Sequence, residues 1–320
     1  MANQLYASIT SCSGLRSITV SDSHNSATSS ATIICETCSL DVGSEVSIDL
    51  GYSSNHDVVF TGYVKNIQRS QSPTLYEITC ANKMIRAVDY FMVSSNPEQP
   101  FSRSNITAQA LIRDVMEEAG LTNYAGSSTG FTFATKGTPV EVNLTSAYDF
   151  CKFIADLLAW HIYADNTGKV HFVNRPPFPD GGESSVATLD DSNLIAVSYG
   201  RSDRDLRNRV VVYGREGVYA EASEASPYLP AGFYKSVVIA APTVIDDQGM
   251  AQSTADYNLE KLNRLTIGGS ATIIGDSTIL CRDCVTVNKS DIGMTGIFYV
   301  YGCEHDWSQE GFKTNLDLRQ

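Results

Sequence analysis

Two stretches far apart in the chain carry one pattern, and that pattern limits the fold more than any other feature. Val59–Cys80 reads VFTGYVKNIQRSQSPTLYEITC. Phe60, Gly62 and Val64 alternate with Thr61, Tyr63 and Lys65, which is the period of a strand. Gln68–Pro73 is polar and predicts a turn, since Pro73 has no N–H to give a central ladder. Tyr76, Ile78 and Cys80 then share one face of a return strand. Met294–Leu318, MTGIFYVYGCEHDWSQEGFKTNLDL, repeats the scheme. Thr295-Gly296 matches Thr61-Gly62, and Ser308-Gln309 matches Ser70-Gln71. Phe312, Thr314, Leu316 and Leu318 share one face, with Lys313, Asn315 and Asp317 on the other. A Cys-x-x-Cys and a short strand precede each hairpin: Cys35 and Cys38 before Val46-Ser47-Ile48, Cys281 and Cys284 before Val285-Thr286-Val287. The shared order predicts an internal duplication, set against the plain fact that any two hairpins alternate.

The 320 residues suffice for two or three domains. Val, Ile, Thr, Tyr and Gly are frequent, so strands are expected to outweigh helices. The layout is mainly β with an α+β insert: a first β-domain over 1–95, a small α/β module over 96–180, and a second β-domain with one helix over 181–320. In the module, Thr107 is placed to cap a helix with the stripe Ala108, Leu111, Ile112, Val115, Met116, Ala119, closed by Gly120. Ser146-x-x-Asp149 opens a second helix that ends by Trp160. His161–Ala164 and Lys169–Val173 flank the turn Asp165-Asn166-Thr167-Gly168. A third helix is expected to be capped by Ser253-x-x-Asp256 and stopped by Gly268-Gly269.

The formal net charge of −13 argues against nucleic-acid binding through a basic face. The opening residues lack the pattern of a signal peptide, and no run of about 18 apolar residues predicts a membrane span, so synthesis in a cytosol is expected.

The sharpest local chemistry lies in the cysteines, eight in all. Cys35, Cys38, Cys281 and Cys284 have the residue types of a four-thiolate zinc site, but the pairs lie too far apart for a zinc ribbon. Disulfides formed late, or plain buried thiols, are the other readings, and no cofactor is assigned. Cys303 and His305 compress a nucleophile and a base into one strand. The acid between them points away and no oxyanion motif accompanies them, so catalysis is not expected there. His161 and His171 are placed to face each other across their hairpin, as ordinary packing. Arg201–Arg209 holds four arginines interleaved with Asp203 and Asp205, which favours a salt-bridged surface or a subunit contact. No Walker, dinucleotide or HExxH motif occurs.

Taken in order, VGSEVSI, VVFTGYV and YEITC, then ITAQALIRDVMEEAGL, LTSAYDFCKFIADLLAWHIYADNTGKVHFVNRP, RNRVVVYG and the terminal hairpin resemble the baseplate or tail hub proteins of contractile-tailed bacteriophages, the late-control-D-like hub family. The resemblance spans nearly the whole chain through loose motifs, and the double Cys-x-x-Cys is foreign to it. It implies two β-barrel domains similar to a tail-tube subunit, and a homotrimer forming a pseudo-six-fold ring. Such a ring joins a hexameric tail tube to a trimeric spike around a DNA channel, without specific DNA binding. Tape measure and wedge proteins are further implied partners. The implied location is the virion baseplate, after assembly in the host cytoplasm. Val59, Phe60, Tyr63, Ile297 and Tyr299 are the expected interface residues. The alternatives are a hub of a non-contractile tail tip or phage-like injection device, and a cysteine hydrolase using Cys303 and His305.

Overall fold

A computed structural model of the chain describes residues 4–71, 74–94, 100–134, 138–175, 177–179 and 181–320. The first segment is all strand: β1 (Leu5–Ile9), β2 (Cys12–Ser23), β3 (Ser30–Cys38), β4 (Glu45–Tyr52), β5 (Asn55–Gln71) and β6 (Thr74–Asn82). The middle segment holds α1 (Ile85–Asp89), β7 (Phe91–Met92), β8 (Phe101–Arg103), β9 (Ile106–Thr107), α2 (Ala108–Glu118), β10 (Tyr124–Gly126), β11 (Thr132–Phe133), β12 (Val140–Val142), β13 (Thr145–Ser146), α3 (Ala147–Leu157), β14 (His161–Ala164) and β15 (Val170–Val173). The last holds β16 (Ala187–Leu189), β17 (Leu194–Ser202), β18 (Arg209–Tyr213), β19 (Tyr219–Ser223), β20 (Ser236–Ala240), α4 (Gln248–Leu262), β21 (Thr266–Ile274), β22 (Cys284–Lys289), β23 (Met294–Ser308) and β24 (Gly311–Arg319). The protein is mainly β, as the strand-forming composition predicts.

The two echoing stretches become two long strands with hairpin partners. β5 pairs with β4 on one side and β6 on the other, with an irregularity between Val64 and Asn66. β23 pairs with β22 and β24, with an irregularity between Val300 and Gly302. Inward and outward residues alternate as expected: Phe60, Gly62 and Val64 are buried, and so are Phe312, Thr314, Leu316 and Leu318. The turn expected over Gln68–Pro73 is strand as far as Gln71, while Ser72 and Pro73 lie outside the described residues. The Cys35-x-x-Cys38 segment forms the end of β3.

One sheet runs through both β-regions, in the order β1-β4-β5-β6-β3-β2-β23-β24-β21-β17. The join is β2 against β23: Ser17–Ser23 pairs antiparallel with Gly302–Ser308. β2 is long enough to serve β3 along Cys12–Ser21 as well. The first interior is apolar, built from residues such as Ile18, Ile33, Ile48, Phe60 and Ile78. The second gathers Ala271, Ile273, Val285, Phe298, Leu316 and Leu318.

The middle segment forms as its sequence predicts. The Thr107 hydroxyl accepts from Ala110 N, and Leu121 N returns to Met116 O past Gly120, whose φ is +76°. The Ser146 hydroxyl accepts from Asp149 N, and α3 closes with Trp160 N on Ala155 O. Two corrections concern α4. Its cap is Asp247, whose carboxylate accepts from Gly249 and Met250 N, so Ser253 lies in the helix interior. Gly268 and Gly269 lie in β21 and do not stop the helix.

The core of this segment also crosses the boundaries expected at 95 and 180. Met84 and Ala87 belong to it, as do Val210, Val212, Ala220, Ala222, Ala251 and Ala255 from β18, β19 and α4. The inner face of the three-stranded sheet β19-β18-β20 is covered by α4 and the middle segment.

Candidate functional site

A cavity of about 190 Å³ opens where the two β-regions and the middle segment meet. β2 supplies Val20 and Asp22, the β14–β15 hairpin Tyr163, Asp165 and His171, and β23 Cys303 and His305. Arg175 and the loop Leu280–Asp283 close it. The hairpin is held there by Asn166 Nδ2 donating to Val58 O at 2.6 Å and by His161 Nε2 at 3.0 Å from His24 O.

Arg282 and Asp22 form an ion pair in the cavity wall. Arg282 is 5% exposed and sits with φ +79°, a backbone conformation that side chains other than glycine rarely adopt. Its Nη1 lies 2.6 Å from Asp22 Oδ2, and its guanidinium stacks 4.3 Å over the Tyr163 ring. Burial works against the Arg282 charge, but the adjacent Asp22 outweighs it and raises the pKa. Burial also pushes Asp165 up, yet donors from His171, Thr167 and Lys169 N hold it at about 2. Asp283 is raised by burial.

His161 and His171 do not face each other. Their cross-strand partners are Val173 and Tyr163, so Tyr163 lies between the two rings. Tyr301, His24, His161, Tyr163 and His171 make a continuous run of stacked rings with centroids 3.9–5.1 Å apart. Burial holds His24 neutral, at about 3, and His161 neutral, at about 2. This run was invisible in the sequence because its members come from the turn after β2 and from β14, β15 and β23.

Cys303 and His305 do share a face, with Sγ 3.4 Å from Nε2. Burial pushes the thiol up and the imidazole down to about 4, so the pair is neutral rather than a thiolate–imidazolium couple. The thiol donates to Ile279 O at 3.4 Å, and His305 Nδ1 meets the Thr314 hydroxyl at 3.1 Å where a triad would place a carboxylate. The geometry is that of satisfied interior polar groups.

The four paired cysteines do not come together as one set. Cys35 and Cys38 gather with Cys12, a residue the sequence reading left out. Cys281 donates to Tyr301 O at 3.4 Å, and Cys284 accepts from Arg175 at 3.5 Å. Among the described residues no group of His, Cys, Asp and Glu has the geometry of a metal site.

The expected interface residues need correction. Val59, Phe60 and Tyr299 are buried inside this chain, packed in its own interior. Tyr63 and Ile297 are half-buried. The main path of the large sheet ends at β1 and β17, with β16 a third end on a branch through β22, and β17 exposes Ile195. In Arg201–Arg209, Arg209 forms a two-pronged pair with Glu221 at 2.8 Å, and Asp203 pairs with Lys235.

No family model matches the sequence, and no curated protein matches it either. Solved structures do. A tail protein from Neisseria meningitidis aligns over 99% of this chain and 97% of its own, at 13% identity and a TM-score of 0.71. The 43 kDa tail protein of prophage MuSo2 from Shewanella oneidensis aligns over 99% and 96%, at 13% identity and a TM-score of 0.68. An Escherichia coli component of the type VI secretion system, described as similar to T4 bacteriophage tail proteins, covers 98% of this chain and 76% of its own, at 9% identity and a TM-score of 0.59. The fold is therefore one found in phage tail proteins and in type VI secretion spike-like proteins.

Proposed function

We propose that this chain is a structural hub of a phage-type tail. In this reading three copies form a pseudo-six-fold ring between a hexameric tail tube and a trimeric spike. The observation that carries it is the repeated unit of short strand, long irregular strand and return strand, β4-β5-β6 and β22-β23-β24, joined in one sheet through β2 and β23. A subunit with two like units is what a threefold ring needs in order to meet a sixfold one. The likeness to tail proteins over 99% of the chain supports the same reading.

The ring surfaces in this proposal are the ends of the sheet's main path, β1 and β17, because an open strand edge calls for a partner. The tail tube protein, the spike, and tape measure and wedge proteins are the proposed contacts. The net charge of −13 suits a wall past which DNA moves without being held. The virion tail is the proposed location, reached after assembly in the host cytoplasm. A hub of a type VI-like injection device is the second reading, favoured by the fit to the E. coli component. No catalytic role is proposed, since Cys303 and His305 are held neutral by burial and His305 Nδ1 meets the Thr314 hydroxyl in place of a carboxylate.

Native mass spectrometry tests the ring. A species of three 34.7 kDa chains is expected, and Ile195→Lys on β17 is expected to weaken it while the circular dichroism stays unchanged. A stable dimer, or trimers indifferent to charge on both β1 and β17, overturns the reading.

A further inference from the structure

We propose that Cys12 and Cys38 are a site of covalent cross-linking, closed as a cross-strand disulfide by exchange with a low-molecular-weight disulfide such as glutathione disulfide. The inference goes beyond the hub reading and stands on the geometry of β2 and β3 alone. Cys12 and Cys38 are directly opposed in the antiparallel register. The flanking pair is hydrogen-bonded, Ser39 N donating to Ser11 O at 3.0 Å, which makes Cys12 and Cys38 a non-hydrogen-bonded pair. Such pairs bring Cα atoms to about 4.5 Å, inside the range of about 4.4–6.8 Å that a disulfide spans.

The Cys12 sulfur is near enough to Cys35 and Cys38 for both to act on its thiol. What distinguishes the two candidates is register and access. Cys35 is fully buried and its partner across the ladder is Leu15. Cys12 and Cys38 are half-buried and line a surface depression with Ser11, Ser13, Thr37 and Ser39. The remaining five cysteines, Cys80, Cys151, Cys281, Cys284 and Cys303, are buried.

The chemistry balances as two exchange steps. Cys38 loses its proton to solvent, and its sulfur attacks one sulfur of the external disulfide. The S–S bond of the reagent breaks and one thiolate leaves, which gives a mixed disulfide on Cys38. Cys12 then gives up its proton and attacks the Cys38 sulfur, expelling the second thiolate. Two protein thiols are oxidised, and the reagent is reduced to two thiols. Burial and the neighbouring Cys35 and Cys38 push the Cys12 thiol up, which works against its attack, and the closeness of the mixed disulfide on Cys38 offsets this in the intramolecular step. The bond would tie the start of β2, next to edge strand β1, to the end of β3.

The test uses the full chain, reduced and then treated with glutathione disulfide. The expected result is an intact mass lower by two protons with no retained glutathione, and a peptide map that links Cys12 to Cys38. A rise in Tm of about 5 °C, reversed by reductant, is expected with it. Cys35→Ser should still close the bond. Cys12→Ser should stop at a glutathione adduct on Cys38 without the rise in Tm. A Cys12–Cys35 link, a stable glutathione adduct on the wild-type chain, or eight thiols left free overturns the proposal. The map on the wild-type chain decides the matter even if a variant folds poorly.

Discussion

The units β4-β5-β6 and β22-β23-β24 follow one strand plan around different interiors. In the first, the long strand turns Phe60 and Val64 toward Ile48 and Ile78, and every one of these is apolar and buried. In the second, the long strand turns Cys303 and His305 inward against Thr314, with buried Arg282 close by in the cavity wall. Alternation therefore sets which residues point in, but it does not require them to be apolar. A polar residue is tolerated inside when its partners are built in: Thr314 serves both His305 and Asp276 N, and Cys303 donates to Ile279 O.

The largest test of this contrast removes apolar volume from each unit at the matching place. Phe60 precedes Thr61-Gly62 as Met294 precedes Thr295-Gly296, and both are fully buried. Phe60→Ala is expected to cost about 3–5 kcal/mol and Met294→Ala about 2–5 kcal/mol, read from denaturant melts. A loss below about 1 kcal/mol at either would show that the unit does not enclose a packed core. Next comes the charge in the second unit's wall. Asp22→Ala leaves Arg282 buried without its carboxylate and is expected to cost about 3 kcal/mol. Asp22→Asn should cost less, because the amide oxygen still accepts.

Acid should act on the second unit before the first. Burial lowers His305 to about 4, and its ordinary value is 6.5. As pH falls below 6.5 the unfolded chain takes the proton first, so this contribution is complete above 6.5 and is lost progressively down to about 4. The loss is about 1.4 kcal/mol per pH unit, or roughly 2 kcal/mol between pH 6.5 and 5. His24 and His161 shift in the same direction. Asp283 and Asp317, raised by burial, oppose the trend only near the carboxylate range, so melts between pH 6.5 and 5 are the clean comparison. A Tm flat across that window would contradict neutral buried histidines. The smallest effect is Thr314→Val, which keeps the shape but strands His305 Nδ1 and Asp276 N. About 1–2 kcal/mol is expected, against almost none if water enters through the cavity.

The echoed glycines show how far the sequence could be read. Thr-Gly occurs in both units, but each glycine is needed for its own reason. At Gly62 a Cβ would lie 2.2 Å from the Ala81 carbonyl, while Gly296 has φ +117°. The motifs are also slipped: Gly62 faces Val46, the first residue of its V-x-I, and Gly296 faces Val287, the last of its V-x-V. The pattern was legible and the register was not, since register depends on where each strand bulges. α2 and α3 were legible because strong stripes coincide with side-chain caps. α4 was displaced because its stripe is thin, and the cap that forms is Asp247, which the sequence pattern did not single out.

The sequence by itself determined the strand and helix types, the facing of side chains along each strand, and the existence of two similar hairpin units. These are local consequences of period, turn chemistry and capping. Tertiary structure decided what those units share. It fused them through β2 and β23, gave β18, β19 and α4 to the core of the middle segment, and collected Asp22, Tyr163, Arg282 and His305 around one cavity. It also placed Cys12 opposite Cys38. Each of these joins residues far apart in the chain. Their free energy comes from burial and pairing that exist only once the chain has closed on itself, so no local pattern carries the signal.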